Sequence, residues 1–323
     1  MTRSFLLSFL LPILLFAACL TAGAQQFGNS WMHCPEPDDT SHVWFCRTFL
    51  PEPAASPAVS TAFLHVATTG RFVLYVNGRN VSTSLYMPRR EGCDTTAIGY
   101  DFDVRRFLRR DTNTVAILFC PSSATRRQLS VCFYGTLTDG KRFALTGADG
   151  WICRQSGGWQ TDGGESFDRS AYCPSPADRS LPLAMWQAAE DCKPATDTPP
   201  IRFYDYGLTA EALFGYSPRR HNVLTDNAAH VMRVSHPLYT QQTEDSLVCH
   251  FAPGQHGFVR VTLRGCQRGE TLRIADFLYV CSSDDDEQAF ARFTPTASTS
   301  VVITGDSNFQ AEQVQLVELL ETE

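Results

Sequence analysis

The stretch that most constrains this chain runs from Phe63 to Val104, FLHVATTGRFVLYVNGRNV followed by a polar interval and then IGYDFDV. Apolar and polar residues alternate along it, the two-residue period of a strand with one buried face. Asn77-Gly78 interrupts the alternation, and this dipeptide suits the positive φ angles of a type I′ turn. The pattern predicts a strand pair closed at Asn77-Gly78, with further strands built around it.

At 323 residues the chain exceeds the usual size of one domain, which predicts two. A hydrophobic content of 43% excludes a disordered chain. The net charge of −7, without a basic stripe, argues against a nucleic-acid partner. Arg3, the apolar run Phe5 to Ala18 and the small residues Ala22-Gly23-Ala24 form the three parts of a secretory signal peptide, so residues 1–24 are expected to be removed and the mature chain secreted or periplasmic. Ala17-Ala18-Cys19 offers an alternative, a lipid anchor through Cys19. No later apolar run approaches the ~20 residues of a membrane helix, so no membrane span is expected. Of twelve cysteines, eleven would follow the cleavage site, and export permits disulfides. They include no C-x-x-C, and several sit inside apolar runs as small hydrophobes, leaving the pairing of the others open.

Strands are expected near Val43–Phe49, Thr114–Cys120, Leu129–Leu137 and Arg142–Thr146, with one helical turn within Arg105–Arg110. Pro51 to Pro57 reads as a connector, and the Gly-rich interval Asp149 to Pro176 as long loops crossing one end of a sandwich. Lys193 to Pro200, KPATDTPP, reads as a linker. A second series follows at Ile201–Tyr206, Leu247–Phe251, Phe258–Leu263, Thr271–Ala275, Ser300–Thr304 and Val314–Leu319. The expected architecture is all-β: a signal peptide over 1–24, then two antiparallel, jelly-roll-like β-sandwich domains over 25–195 and 196–323.

Several runs then follow one another in a familiar order: Trp44–Phe49, Gly70–Gly78, Tyr100–Val104, Asn113–Ala116, Thr146–Trp151 and Gly164–Arg169. This series resembles the N-terminal β-sandwich of bacterial α-L-rhamnosidases. Pro199–Arg202, His250–Gln255 with Gly257–Val261, and Gly269–Ile274 resemble that family's next sandwich. His250 and His256 stand where the family's D-F-G-Q-N run has Asp and Asn, and Ala252-Pro253 is inserted. The resemblance implies accessory domains, since the family's catalytic carboxylates lie on an α/α barrel that follows them. No position of this sequence matches those carboxylates, so no catalytic residue is carried over.

Inverting glycoside hydrolysis needs two carboxyl groups roughly 6.5–9.5 Å apart, a spacing only a fold can supply. The nearest thing to a carbohydrate site is Asp162, Glu165, Asp168 and Arg169 beside Trp151 and Trp159, which combine ring faces for sugar C–H surfaces with polar groups for hydroxyls. The competing reading is that Glu165, Asp168 and Arg169 anchor a loop while the tryptophans fill the end of the sandwich. Asp284-Asp285-Asp286-Glu287 lacks the spacing of a calcium loop, and His230, His236, His250 and His256 form no short ligand motif. No metal and no cofactor is expected. The functional expectation is a secreted, non-catalytic carbohydrate-binding or accessory protein that binds or positions carbohydrate, such as a rhamnose-containing glycan, or a protein partner such as a separately encoded catalytic chain. The alternative is the leading part of a truncated or split α-L-rhamnosidase, a glycoside hydrolase whose catalytic barrel is absent through truncation, a frameshift or separate encoding.

Overall fold

A computed structural model describes residues 30–36, 39–49, 58–89, 97–110, 112–123, 125, 127–172, 185–192, 228–243, 245–296 and 298–322, and the backbone of 201–206. The expected signal peptide, Cys19, the Pro51–Pro57 connector and the Lys193–Pro200 linker lie outside these residues. Among the described residues the fold is all-β, interrupted by short 3-10 turns such as Arg105–Phe107. In chain order the strands are β1 (Trp31–His33), β2 (Ser41–Phe49), β3 (Val59–Thr68), β4 (Arg71–Val76), β5 (Arg79–Asn80), β6 (Ala97–Asp103), β7 (Asn113–Cys120), β8 (Gln128–Leu137), β9 (Arg142–Thr146), β10 (Trp151–Thr161), β11 (Gly164–Asp168), β12 (Gln187–Ala188), β13 (Glu190–Asp191) and β14 (Ile201–Tyr206). They continue as β15 (Val231–Ser235), β16 (Tyr239–Gln242), β17 (Ser246–His250), β18 (Gly257–Leu263), β19 (Thr271–Ile274), β20 (Phe277–Val280), β21 (Glu287–Ala289), β22 (Ser300–Gly305) and β23 (Val314–Thr322).

Three sheets result. One has the order β13-β1-β8-β3-β6-β14, with β9 beside β8; a second runs β16-β17-β22-β19-β20-β11-β10-β2-β7-β4-β5, with β12 beside β10; the third is β15-β23-β18-β21. Asn77 and Gly78 both have positive φ, 53° and 77°, as the type I′ turn requires. The turn closes only the short β4–β5 pair. The two long runs around it do not pair as the alternation implied. Phe63–Thr68 on β3 pairs with Ile98–Asp103 on β6 in the first sheet, while β4 pairs with β7 in the second. Gly70 permits the switch between sheets, since a Cβ there would lie 2.2 Å from the Cys120 carbonyl oxygen.

The Asp149–Pro176 loop expectation is also corrected: Trp151–Thr161 and Gly164–Asp168 are strands joined in an antiparallel hairpin. Two of the glycines that suggested loops serve close packing instead. Gly158 lies under the His42 ring, and a Cβ on Gly164 would meet the Asp276 carbonyl oxygen at 2.2 Å.

The long second sheet explains why Val43–Cys46 and Val115–Cys120 are buried on both faces. One face, with Phe45, Phe72, Leu74, Ile117 and Phe119, packs with the β3–β6–β8 sheet through residues such as Leu64, Val66, Tyr100 and Phe102. The opposite face, with Trp44, Val73, Ala116 and Leu118, joins the core of the second half through Phe258, Leu272, Tyr279 and Ile303. Each fully buried residue of this size contributes roughly 1.5–3 kcal/mol. The two halves share this sheet because β11 pairs in parallel with β20, Glu165 opposite Phe277. β14, placed by sequence at the start of the second sandwich, pairs in parallel with β6 at the edge of the first sheet.

Candidate functional site

The six residues singled out by sequence do not share one environment. Trp151, at the start of β10, is 3% exposed and belongs to the first core, so its ring faces are unavailable to a sugar. Glu165 is 1% exposed. Its Oε1 accepts the backbone N–H of Arg292 at 2.8 Å, and its Oε2 those of Phe293 and Thr294 at 2.9 and 3.1 Å. Burial pushes the Glu165 carboxyl up, opposed by these three donors and the Arg292 charge. His42 Nδ1 lies 3.8 Å away, and burial followed by the Arg292 charge lowers that imidazole to about 3, so it stays neutral at pH 7. Arg71 completes the seam by donating to the Phe293 carbonyl oxygen at 2.6 Å. Glu165 therefore grips a segment of the second half as a structural anchor, and both Trp151 and Glu165 leave the expected carbohydrate set for this reason.

Asp162 is exposed in the β10–β11 turn. Arg169 reaches Asp284 at 3.4 Å and stacks over Tyr172, bridging the halves at a partly exposed position. Asp284 and Asp286 thus face different arginines, the latter pairing with Arg264 at 2.6 Å, while Glu287 is buried and accepts from Tyr279 Oη at 2.8 Å. The described residues contain no group of three or more His, Cys, Asp or Glu side chains suited to a metal ion.

Trp159 and Asp168 come together. Both line a cleft of about 840 Å³ beside β10 and β11, with Glu36, Arg154, Gln155 and Gln187. Its volume lies within the range of small-molecule sites. A bulge re-aims Trp159: the β10–β2 register shifts between Gln155 and Trp159, and Gly157 adopts φ +95° within it. Trp159 is half-buried, offering a ring beside polar groups of both signs. Asp168 is held by its own turn, its Oδ1 accepting from Ser170 N and Oγ and from Ala171 N at 2.7–3.2 Å. Sequence reasoning missed Glu36, Arg154, Gln155 and Gln187. Reading β10 as a strand would have brought out Arg154 and Gln155; Glu36 and Gln187 arrive through pairings distant in sequence.

Among the described residues no helix is long and apolar enough to cross a membrane. No protein-family model and no curated protein sequence matches the chain. Solved structures do. The α-L-rhamnosidase from Dictyoglumus thermophilum superposes with a TM-score of 0.71 at 15% identity, over 93% of this chain and 36% of that one. The Streptomyces avermitilis α-L-rhamnosidase complexed with L-rhamnose gives 0.65 at 16% identity, over 88% and 29%. The Aspergillus terreus enzyme gives 0.68 at 11% identity, over 92% and 36%. In fold, therefore, nearly all of this chain is similar to about a third of the length of α-L-rhamnosidases.

Proposed function

We propose that this chain is a non-catalytic, carbohydrate-binding accessory protein that takes a rhamnose-containing glycan in the cleft around Trp159. The observation that carries this reading is the convergence of a half-buried indole with Glu36, Arg154, Gln155 and Asp168 in one open cleft. The indole stacks on the apolar C–H face of a sugar ring, and the polar side chains exchange hydrogen bonds with its hydroxyls. The fold likeness to α-L-rhamnosidases supports the choice of sugar class. Neither Trp159 nor Asp168 is posed for acid–base chemistry, since Asp168 is committed to its own turn.

Isothermal titration with L-rhamnose and rhamnose-containing oligosaccharides is the test. Weak binding that vanishes in Trp159→Ala and survives Asp162→Ala is expected, Asp162 lying at the exposed hairpin turn. A flat titration with every sugar, or binding indifferent to Trp159→Ala, overturns the proposal.

A second reading is favoured by the chain spanning only 29–36% of the similar enzymes: it serves as the accessory part of an α-L-rhamnosidase. The adjacent DNA would then encode an α-helical barrel, and mixing the two products would raise turnover of an aryl α-L-rhamnoside. Turnover by this chain alone would overturn both readings.

A further inference from the structure

Nine cysteines are described, all as thiols, and four of them meet in two buried pairs. Cys34 follows β1 directly and is 1% exposed; Cys153, the third residue of β10, is fully buried in the same core. Their approach is fixed by backbone pairing. Cys153 is the cross-strand partner of Gln187, and the Gln187 side-chain amide donates to Cys34 Sγ at 3.1 Å, so the Cys34 sulfur sits over the β10–β12 pair at the Cys153 register. The second pair closes a turn in the other half. Cys266 precedes residues 267–270, and both backbone bonds at the end of that turn go to Cys281: Gly269 N to its carbonyl oxygen and its N–H to the Glu270 carbonyl oxygen, each 2.9 Å. Cys266 and Cys281 are 6% and 0% exposed, in one core.

We propose that Cys34–Cys153 and Cys266–Cys281 are disulfide bonds in the mature protein, one in each half of the molecule. The required oxidant is a small-molecule or protein disulfide, as found in oxidising compartments. One cysteine thiolate attacks the oxidant's disulfide, forming a mixed disulfide and releasing one thiol. The second cysteine displaces the other half as a second thiol. Each pair of cysteines thereby loses two electrons and two protons, and the oxidant's two sulfurs gain them.

The first bond has a consequence for the cleft. Pro35 and Glu36 form one wall and Arg154 and Gln155 another, and each pair directly follows one of the bonded cysteines. A covalent Cys34–Cys153 link therefore fixes the separation of the two walls, whatever the cleft binds.

The full chain is produced both by export and by cytosolic expression followed by exposure to oxidised glutathione. Each sample is denatured without reductant, alkylated, digested and mapped by mass spectrometry. The expected result is linked peptides joining Cys34 to Cys153 and Cys266 to Cys281, with Cys132 and Cys249 alkylated. Cys34→Ser should render Cys153 alkylatable while leaving the Cys266–Cys281 link in place. Reduction should lower the melting temperature by on the order of 10 °C. Alkylation of all four residues in both samples, or links joining them to other cysteines, overturns the assignment.

Discussion

Glu165 and Asp168 lie on the same short strand, yet one is sealed in the seam between the halves and the other lines an open cleft. At the seam, three backbone N–H groups and a low-dielectric surround make Glu165 indispensable to packing and useless to a ligand. At the cleft, Trp159 and Asp168 are both partly exposed and line an open space, Asp168 with its Oδ1 held by its own turn. The same contrast separates Trp151 from Trp159 along β10. The difference teaches that residue type alone does not mark a binding site: aromatic and acidic residues serve both regions, and burial assigns them their roles.

The sharpest way to break this contrast is at the seam. Glu165→Ala strands three N–H donors, that of Phe293 buried and the others partly so, and is expected to cost roughly 3–5 kcal/mol in urea unfolding. Trp151→Ala should cost about as much, roughly 3–5 kcal/mol, through the cavity it leaves. If either variant unfolds like the parent and only sugar binding changes, the assignment of seam and cleft is reversed.

A pH titration of stability comes next. His42 is lowered to about 3 in the fold against an ordinary 6.5, so the unfolded chain binds the proton first. Stability is expected to fall as pH drops below 6.5, by up to roughly 1.4 kcal/mol per pH unit, and to flatten again below the folded value. His42→Phe should remove that slope. Glu165, being raised, acts with the opposite sign: its contribution grows as the pH falls through its folded value toward 4.5, and Glu165→Gln separates the two. A profile unchanged by His42→Phe would show that the seam imidazole is not the source.

Smaller effects belong to the cleft and the surface. Trp159→Ala is expected to change stability by less than about 1 kcal/mol while abolishing sugar binding. Arg169→Ala removes a partly exposed ion pair and ring stack, and its effect on the denaturation midpoint should stay within that same ~1 kcal/mol.

Much of the fold was legible residue by residue. Alternation marked β3, β6, β7 and β8, and Asn77-Gly78 specified its turn, because side-chain direction in a strand and left-handed backbone geometry are local properties. β10 and β11 were misread because their glycines resemble loop residues when the strands and rings they accommodate are unseen. Glu165 looked like a sugar ligand because its partners, Arg292 to Thr294, lie far along the chain.

What the sequence by itself determined was an all-β chain and most of its strands. The tertiary structure alone decided which sheet each strand entered, that β11 and β20 join the two halves, and that Trp159 and Asp168 share a cleft while Trp151 and Glu165 do not. The physical reason is that periodicity is encoded within a few residues, whereas pairing partners, two-sided burial and bulge-directed side chains depend on contacts between segments remote in sequence.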